Sequence, residues 1–307
     1  MRISIIDLGT NTFNLLVAER DAEGRLHAVH SEERAVFLGR GGIERGLITD
    51  EAMERGWSVL HGFMDKSREL EAERMAGFGT SVLRNARNAG KFTSRAKAMF
   101  ELDISIIPGE EEAELILDGV RQAVPFTSKP ALVMDIGGGS IEFILATDKA
   151  LMWKRSFEIG ATRLLERFRP SDPMKLEEYF RICAYLDAQL EPLFAVLDRH
   201  WPLTLVGSAG SFDTLAELMS GERGEALTPG DNTSLFSNME FEAVKDRLMG
   251  SSRPERAAIP AIPAYRVDTL PLAMIAVERV LVHGIEEVRC SRYALKEGAA
   301  WRMLAAL

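Results

Sequence analysis

The residues best suited to chemistry are Asp135-Ile136-Gly137-Gly138-Gly139-Ser140, where an acid and a hydroxyl flank three consecutive glycines. Glycines let a backbone approach a ligand closely, and successive N–H groups line a concave nest for an anion. A flexible hairpin turn is the plainer alternative, which Gly-Gly alone would satisfy. The pattern has a second copy 128 residues upstream, at Asp7-Leu8-Gly9-Thr10-Asn11-Thr12. Asp7 falls on Asp135, Gly9 on Gly137 and Thr12 on Ser140. With two copies present, phosphate is the expected ligand of both loops. At the same offset Phe78-Gly79-Thr80 falls on Val206-Gly207-Ser208, so the chain reads as a duplicated unit.

The copies differ where chemistry would need a difference. Asn14 in the first corresponds to Glu142 in the second, so the second hairpin alone carries two carboxylates. Glu142 is either an exposed residue of an alternating strand or a partner of Asp135 in holding Mg²⁺. That cation takes one or two carboxylates together with water and phosphate oxygens. Arg84, after Thr80 and Ser81, is either surface charge or a guanidinium for paired hydrogen bonds to a phosphoryl group. Glu110, Glu111 and Glu112 open a helix, and acids in a first turn stabilise the helix dipole. Three exceed what a helix start needs. Glu112, beside Ala113 on the apolar stripe, is the one placed to turn inward and orient a water.

These residues need strands to carry them and helices to pack beneath. Strands are expected over 2–7, 13–20, 25–30, 74–78, 103–107, 131–135, 141–147, 151–157 and 203–207. Helices are expected over 50–72, 111–123, 174–199, 211–219, 240–249, 270–283 and 292–306. Met53, Trp57, Leu60 and Met64 form the stripe of the first, and Ala113, Ile116, Leu117 and Val120 that of the second. Strands alternating with helices give an α/β fold. Pro125, Thr127, Ser128 and Pro130 mark a boundary, which predicts domains over 1–124 and 125–307. A long polar loop is expected over 220–238.

Composition narrows the class. The chain has 307 residues, 37 basic and 46 acidic side chains and a net charge of −9, which argues against nucleic acid as a partner. No apolar run reaches the ~18 residues of a membrane span, and the start lacks a signal-peptide pattern. Cys183 and Cys290 are too few for a disulfide framework or zinc cluster, and the five histidines are scattered. The expectation is a reduced, cytoplasmic protein.

The chain resembles, almost end to end, the exopolyphosphatase / guanosine pentaphosphate phosphatase (Ppx/GppA) family of the actin-like superfold. The resemblance rests on the two loops above, Thr80-Ser81-Val82-Leu83-Arg84-Asn85-Ala86, Gly109-Glu110-Glu111-Glu112-Ala113 and Glu142. Gly160-Ala161-Thr162-Arg163-Leu164, Gly207-Ser208-Ala209-Gly210-Ser211 and Ala294-Leu295-Lys296-Glu297-Gly298 complete it. It implies two actin-like (ribonuclease H-like) domains facing across a cleft, with the last helix packing back on the first. It implies Glu112 as the water-activating base, Arg84 on the terminal phosphate, and Asp135 and Glu142 as carboxylates for Mg²⁺ or another divalent cation. Phosphate contacts would come from Asp7, Gly9, Thr10, Asn11, Thr12, Thr80, Ser81, Gly137, Gly138, Gly139, Ser140, Gly207, Ser208 and Gly210.

The implied reaction releases orthophosphate from the end of polyphosphate or from guanosine pentaphosphate, by a homodimer. Ile141 departs from the family's usual threonine, and Thr10-Asn11-Thr12 from its Ser-Asn-Ser. The helical C-terminal domain of long members has no counterpart here, so short polyphosphate is the expected substrate. A non-catalytic sensor of polyphosphate or alarmone nucleotides is the rival of another class. A sugar kinase of the same superfold is disfavoured by the Glu112-Ala113 pair.

Overall fold

The computed structural model describes residues 1–225 and 232–306. By its internal contacts the chain divides into one unit of Met1–Gln122 with Tyr293–Leu307 and another of Ala123–Arg292.

The first unit begins with the meander β1 (Ile3–Leu8), β2 (Thr12–Arg20) and β3 (Leu26–Ala35). There follow α1 (Asp50–Glu69), β4 (Arg74–Gly79), α2 (Ser81–Asn85), α3 (Ala89–Phe100), β5 (Ile104–Ile106) and α4 (Gly109–Ala123). The sheet order is β3-β2-β1-β4-β5, with β1, β4 and β5 parallel and β2 antiparallel to its neighbours. The stripe of α1 is buried as its spacing predicts, and Trp57 stacks on Phe92 of α3 at 5.4 Å between centroids. β3 runs five residues beyond the expected 30, because its later residues stay paired with β2 as far as Thr12↔Ala35.

The second unit repeats the plan. Its strands are β6 (Ala131–Ile136), β7 (Ile141–Ala146) and β8 (Leu151–Phe157). Then come α5 (Ala161–Phe168), α6 (Leu176–His200), β9 (Thr204–Ser208), α7 (Ala209–Glu222), β10 (Thr233–Phe236), α8 (Asn238–Gly250), α9 (Arg253–Ala257), α10 (Leu270–Leu281) and β11 (Glu287–Ser291). The order β10-β11-β9-β6-β7-β8 is that of the first sheet, read from the opposite edge, with one added strand. Two mixed sheets of matching order, each packed with helices, make this an α/β fold built by duplication. Leu186, Leu190 and Leu193 of α6 and the almost wholly buried α10 fill the second core.

The expected long loop over 220–238 is a correction: α7 reaches Glu222, β10 occupies Thr233–Phe236 and α8 starts at Asn238. Residues 226–231 of that stretch lie outside the described residues. Trp201 is 64% exposed at the end of α6, whereas Trp57 is core. Among the described residues no helix is long and apolar enough to cross a membrane. α11 (Leu295–Ala305) packs on β1 and β2 and thus completes the first unit from the far end of the chain.

Candidate functional site

The first unit positions an arginine and a carboxylate. Parallel pairing of β1 with β4 sets the loop after Leu8 beside Gly79, where Thr80 donates from both its N–H and its hydroxyl to the Leu8 carbonyl. α2 starts at once and carries Arg84 on its last turn. Arg84 donates through Nη1 to the Ile107 carbonyl at 3.1 Å and to Glu112 Oε2 at 2.8 Å. Glu112 is 7% exposed, while Glu110 and Glu111 face solvent. Of the three acids, then, the one beside the apolar stripe turns inward. Ser81 is buried and Asn85 donates to its carbonyl, which fixes the turn carrying Arg84. Arg87 lies beyond α2, exposed, and donates to the Arg45 carbonyl.

Depth of α4 is set by close backbone packing against α11. A Cβ on Gly298 would sit 1.8 Å from the Leu115 carbonyl oxygen, and one on Gly119 would sit 2.0 Å from that of Ala294. Glu297 accepts from the Ala294 N–H at 2.9 Å and caps α11 at this crossing. The Ala294–Gly298 motif is thus a clamp on the helix that bears Glu112.

The two glycine loops share a geometry. Gly9 N–H donates to the Thr12 carbonyl at 3.1 Å, and Gly137 N–H donates to the Ser140 carbonyl at 3.0 Å. Their supports differ. Around the first loop, Val36 and Phe37 N–H groups donate to the Asn11 carbonyl and Gly39 N–H to that of Thr10. Around the second, the first N–H groups of α5 are used: Ala161 donates to Gly137, while Thr162 and Arg163 donate to Gly138. Arg163 adds a bond from Nε to the Gly139 carbonyl at 3.1 Å. The loop's carbonyls are thereby drawn inward, and the N–H groups of Gly138 and Gly139 have no internal acceptor among the described residues. That is the arrangement of an anion nest. A Cβ on Gly160 would lie 2.5 Å from backbone atoms of Gly138, Gly139 and Ser140, so glycine is required where α5 meets the loop.

Asp135 and Glu142 stand directly opposite each other on β6 and β7, at 7% and 1% exposure. Asp7 and Asn14 hold the equivalent places on β1 and β2, where Asn14 donates to Asp7 Oδ2 at 3.3 Å. Like charges directly opposite on neighbouring strands repel. In the first unit that cost is avoided by an amide; in the second it is retained. No group of three or more His, Cys, Asp or Glu forms a metal cluster among the described residues. A pair of carboxylates with hydroxyl support is nonetheless the donor set of a Mg²⁺ site completed by water and phosphate oxygens, and it fits that cation better than zinc.

Of the expected phosphate contacts on β9 and α7, Ser208 is fully buried and donates to Asp135 Oδ2 at 2.7 Å. A Cβ on Gly207 would meet the Phe212 ring at 2.0 Å, so this glycine admits packing. At Gly210 the space a side chain would fill holds the Arg266 guanidinium, which donates to Thr214. Sequence reasoning missed Arg266, in an irregular segment without periodicity, and Ser156 of β8, which donates to Glu142 Oε1 at 2.6 Å across the pairing of β7 with β8. It also gave Gly160 no role.

A family model described as the Ppx/GppA phosphatase family matches residues 16–307. Exopolyphosphatase 2 of Mycobacterium tuberculosis is 30% identical over 97% of this chain and 97% of its own length. A guanosine-5'-triphosphate,3'-diphosphate pyrophosphatase of Photobacterium profundum is 29% identical over 97% of this chain, which spans 58% of that protein. The crystal structure of an exopolyphosphatase from Cytophaga hutchinsonii is 38% identical and covers 100% of this chain and 99% of its own, with a TM-score of 0.97.

Proposed function

Because the chain belongs to the Ppx/GppA phosphatase family, we propose that it is an exopolyphosphatase whose water is activated by Glu112. The attacking oxygen bonds to the terminal phosphorus as the bridging P–O bond breaks, and Glu112 takes the water's proton. The products are orthophosphate and a chain one unit shorter. Arg84 pairs with the terminal phosphoryl group, whose charge spreads over its outer oxygens in the transition state. Backbone N–H groups of Gly138 and Gly139 donate to phosphate in the second unit, with Ser140 beside them. Thr10, Asn11, Thr12 and Thr80 serve phosphate in the first. Asp135 and Glu142 hold a divalent cation, Mg²⁺, whose charge offsets that of the phosphate oxygens.

The observation that carries the reading is the 2.8 Å ion pair of Arg84 with the buried Glu112. A terminal phosphate competes for Arg84, so the substrate that needs a base also relieves it of its partner. The proposal includes a cytoplasmic location and a homodimer as the working form. A second reading, hydrolysis of the 5′ γ-phosphate of guanosine pentaphosphate, is favoured by the Photobacterium relative and shares every residue named.

The test is orthophosphate release from short polyphosphate, long polyphosphate, guanosine pentaphosphate and ATP, with Glu112→Gln beside the parent. Polyphosphate should be the fastest substrate, and the variant should lose roughly 10²–10⁴-fold. Preference for guanosine pentaphosphate moves the protein to the second reading. Binding without release from any of the four makes it a sensor.

A further inference from the structure

Four neighbouring strands of the second sheet place four polar residues in one row. Ser208 on β9 lies opposite Asp135 on β6, Asp135 opposite Glu142 on β7, and Glu142 opposite Ser156 on β8. Residues opposite one another in a sheet project from the same face. Each outer serine donates to the carboxylate beside it: Ser208 to Asp135 Oδ2 at 2.7 Å and Ser156 to Glu142 Oε1 at 2.6 Å. The same row of the first sheet reads Phe78, Asp7, Asn14 and Glu33, with no hydroxyl in it.

We propose that Ser156 and Ser208 are positioning residues that hold the Glu142 and Asp135 carboxylates in the orientation a divalent cation requires. This rests on the cation reading given above. Two buried acids side by side repel, and each would swing away from the other if its rotamer were unfixed. A short hydroxyl donor on each outer side prevents that and disperses part of the carboxylate charge. The serines act through the acids, as outer partners act on metal-ligating groups generally. For Ser208 the position depends on the register of β9. Its counterpart at the 128-residue offset, Thr80, lies two residues beyond Phe78, the partner of Asp7. β9 is therefore displaced by two residues along β6 relative to β4 along β1, an even shift that keeps every side chain on its face.

The experiment is titration of the protein with Mn²⁺, free ion being followed by its electron paramagnetic resonance signal, in the absence of substrate. Parent, Ser156→Ala, Ser208→Ala, Ser156→Thr and Asp135→Asn are compared, with thermal melting of each. The alanine variants should bind Mn²⁺ roughly 10–100-fold more weakly. Ser156→Thr, which restores a hydroxyl on an ordinary strand position, should bind close to the parent. The Mg²⁺ concentration for half-maximal phosphate release should rise in step, with kcat recovered at saturation. Alanine variants that bind Mn²⁺ like the parent, while Asp135→Asn does not, overturn the positioning role and leave the cation reading standing. Parent-like binding by Asp135→Asn overturns the cation reading itself, and the positioning role with it.

Discussion

Asp7 and Asp135 occupy the same place in two sheets of the same order, yet their surroundings have diverged. Asp7 is half-buried beside an amide and has an aromatic residue on its other side. Asp135 is buried beside a second acid, and a serine donates to it. Duplication kept the scaffold, which hydrophobic strands and the turn geometry at Gly9 and Gly137 determine. One exchange, Asn14 against Glu142, and a two-residue change of register set different groups beside the two aspartates. A repeated fold therefore offers two loops of one shape, only one of which carries a carboxylate pair.

The largest expected contrast is between Asp135→Asn and Asp7→Asn. On the proposed reading Asp135 holds the cation, and loss of such a ligand removes several kcal/mol of transition-state stabilisation, so Asp135→Asn should lower kcat/KM by roughly 10²-fold or more. Asp7→Asn, which keeps a side chain of the same shape beside the Asn14 amide, should cost less than about tenfold. Equal losses in a phosphate-release assay would erase the distinction drawn between the loops.

Next in size is the response of the two loops to added methyl groups. Gly160→Ala drives a Cβ against backbone of the second loop, whereas Gly39→Ala meets a side-chain methyl, that of Thr10, at 2.6 Å. Overpacking of the first kind costs ~1–3 kcal/mol. Differential scanning calorimetry should show the melting of Gly160→Ala falling by roughly 2–12 °C, and that of Gly39→Ala falling less.

Acid should separate the units as well. The long helix of the first starts with a neutral cap, Thr49 accepting from the Ala52 N–H. That of the second uses Glu178, whose carboxyl is held below its usual 4.5 by the Ser171 hydroxyl and then by the Lys175 N–H. A depressed pKa stabilises above the unfolded value and is lost as pH falls through the folded one. Hydrogen exchange should therefore loosen the first turn of α6 below about pH 4.5 while that of α1 holds, and Glu178→Gln should flatten the effect. Loosening of both helices together would show that this cap makes no difference.

The smallest effect is an expected silence. Both thiols belong to the second unit, and burial raises Cys183 and pushes Cys290 up to about 12. Iodoacetamide at pH 8 should label neither in the native protein, and labelling during denaturation should report on the second unit alone. Rapid labelling of native Cys290 would contradict its packing.

Several parts of this were legible beforehand, each for a local reason. The glycine loops, the hairpins around them and the stripes of α1 and α4 follow from turn residues and hydrophobic spacing within about twenty residues. Glu112 was legible because its neighbour Ala113 lies on the stripe. β11 was missed: Glu287-Val288-Arg289-Cys290-Ser291 is short and charged, and becomes a strand by pairing with β9, far away in the chain. α3 was missed because it lacks a side-chain cap and has Gly90 near its start. Ser156 carried no signal within the strand expected over 151–157, since only the β7–β8 register sets it against Glu142. Gly160 needed the loop's backbone to be seen before its own bareness made sense.

The clamp between α4 and α11 has a consequence for how the protein is made. Residues Ala123–Arg292 form a continuous unit, but the other unit is interrupted by it and closes with Leu295–Ala305. Since synthesis runs from the N-terminus, the second unit is fully available to fold while Gly119 still awaits Gly298. The helix carrying Glu112 thus reaches its final seat only once α11 has been made, and a stop codon ahead of Gly298 would strike a carboxylate made more than 180 residues earlier.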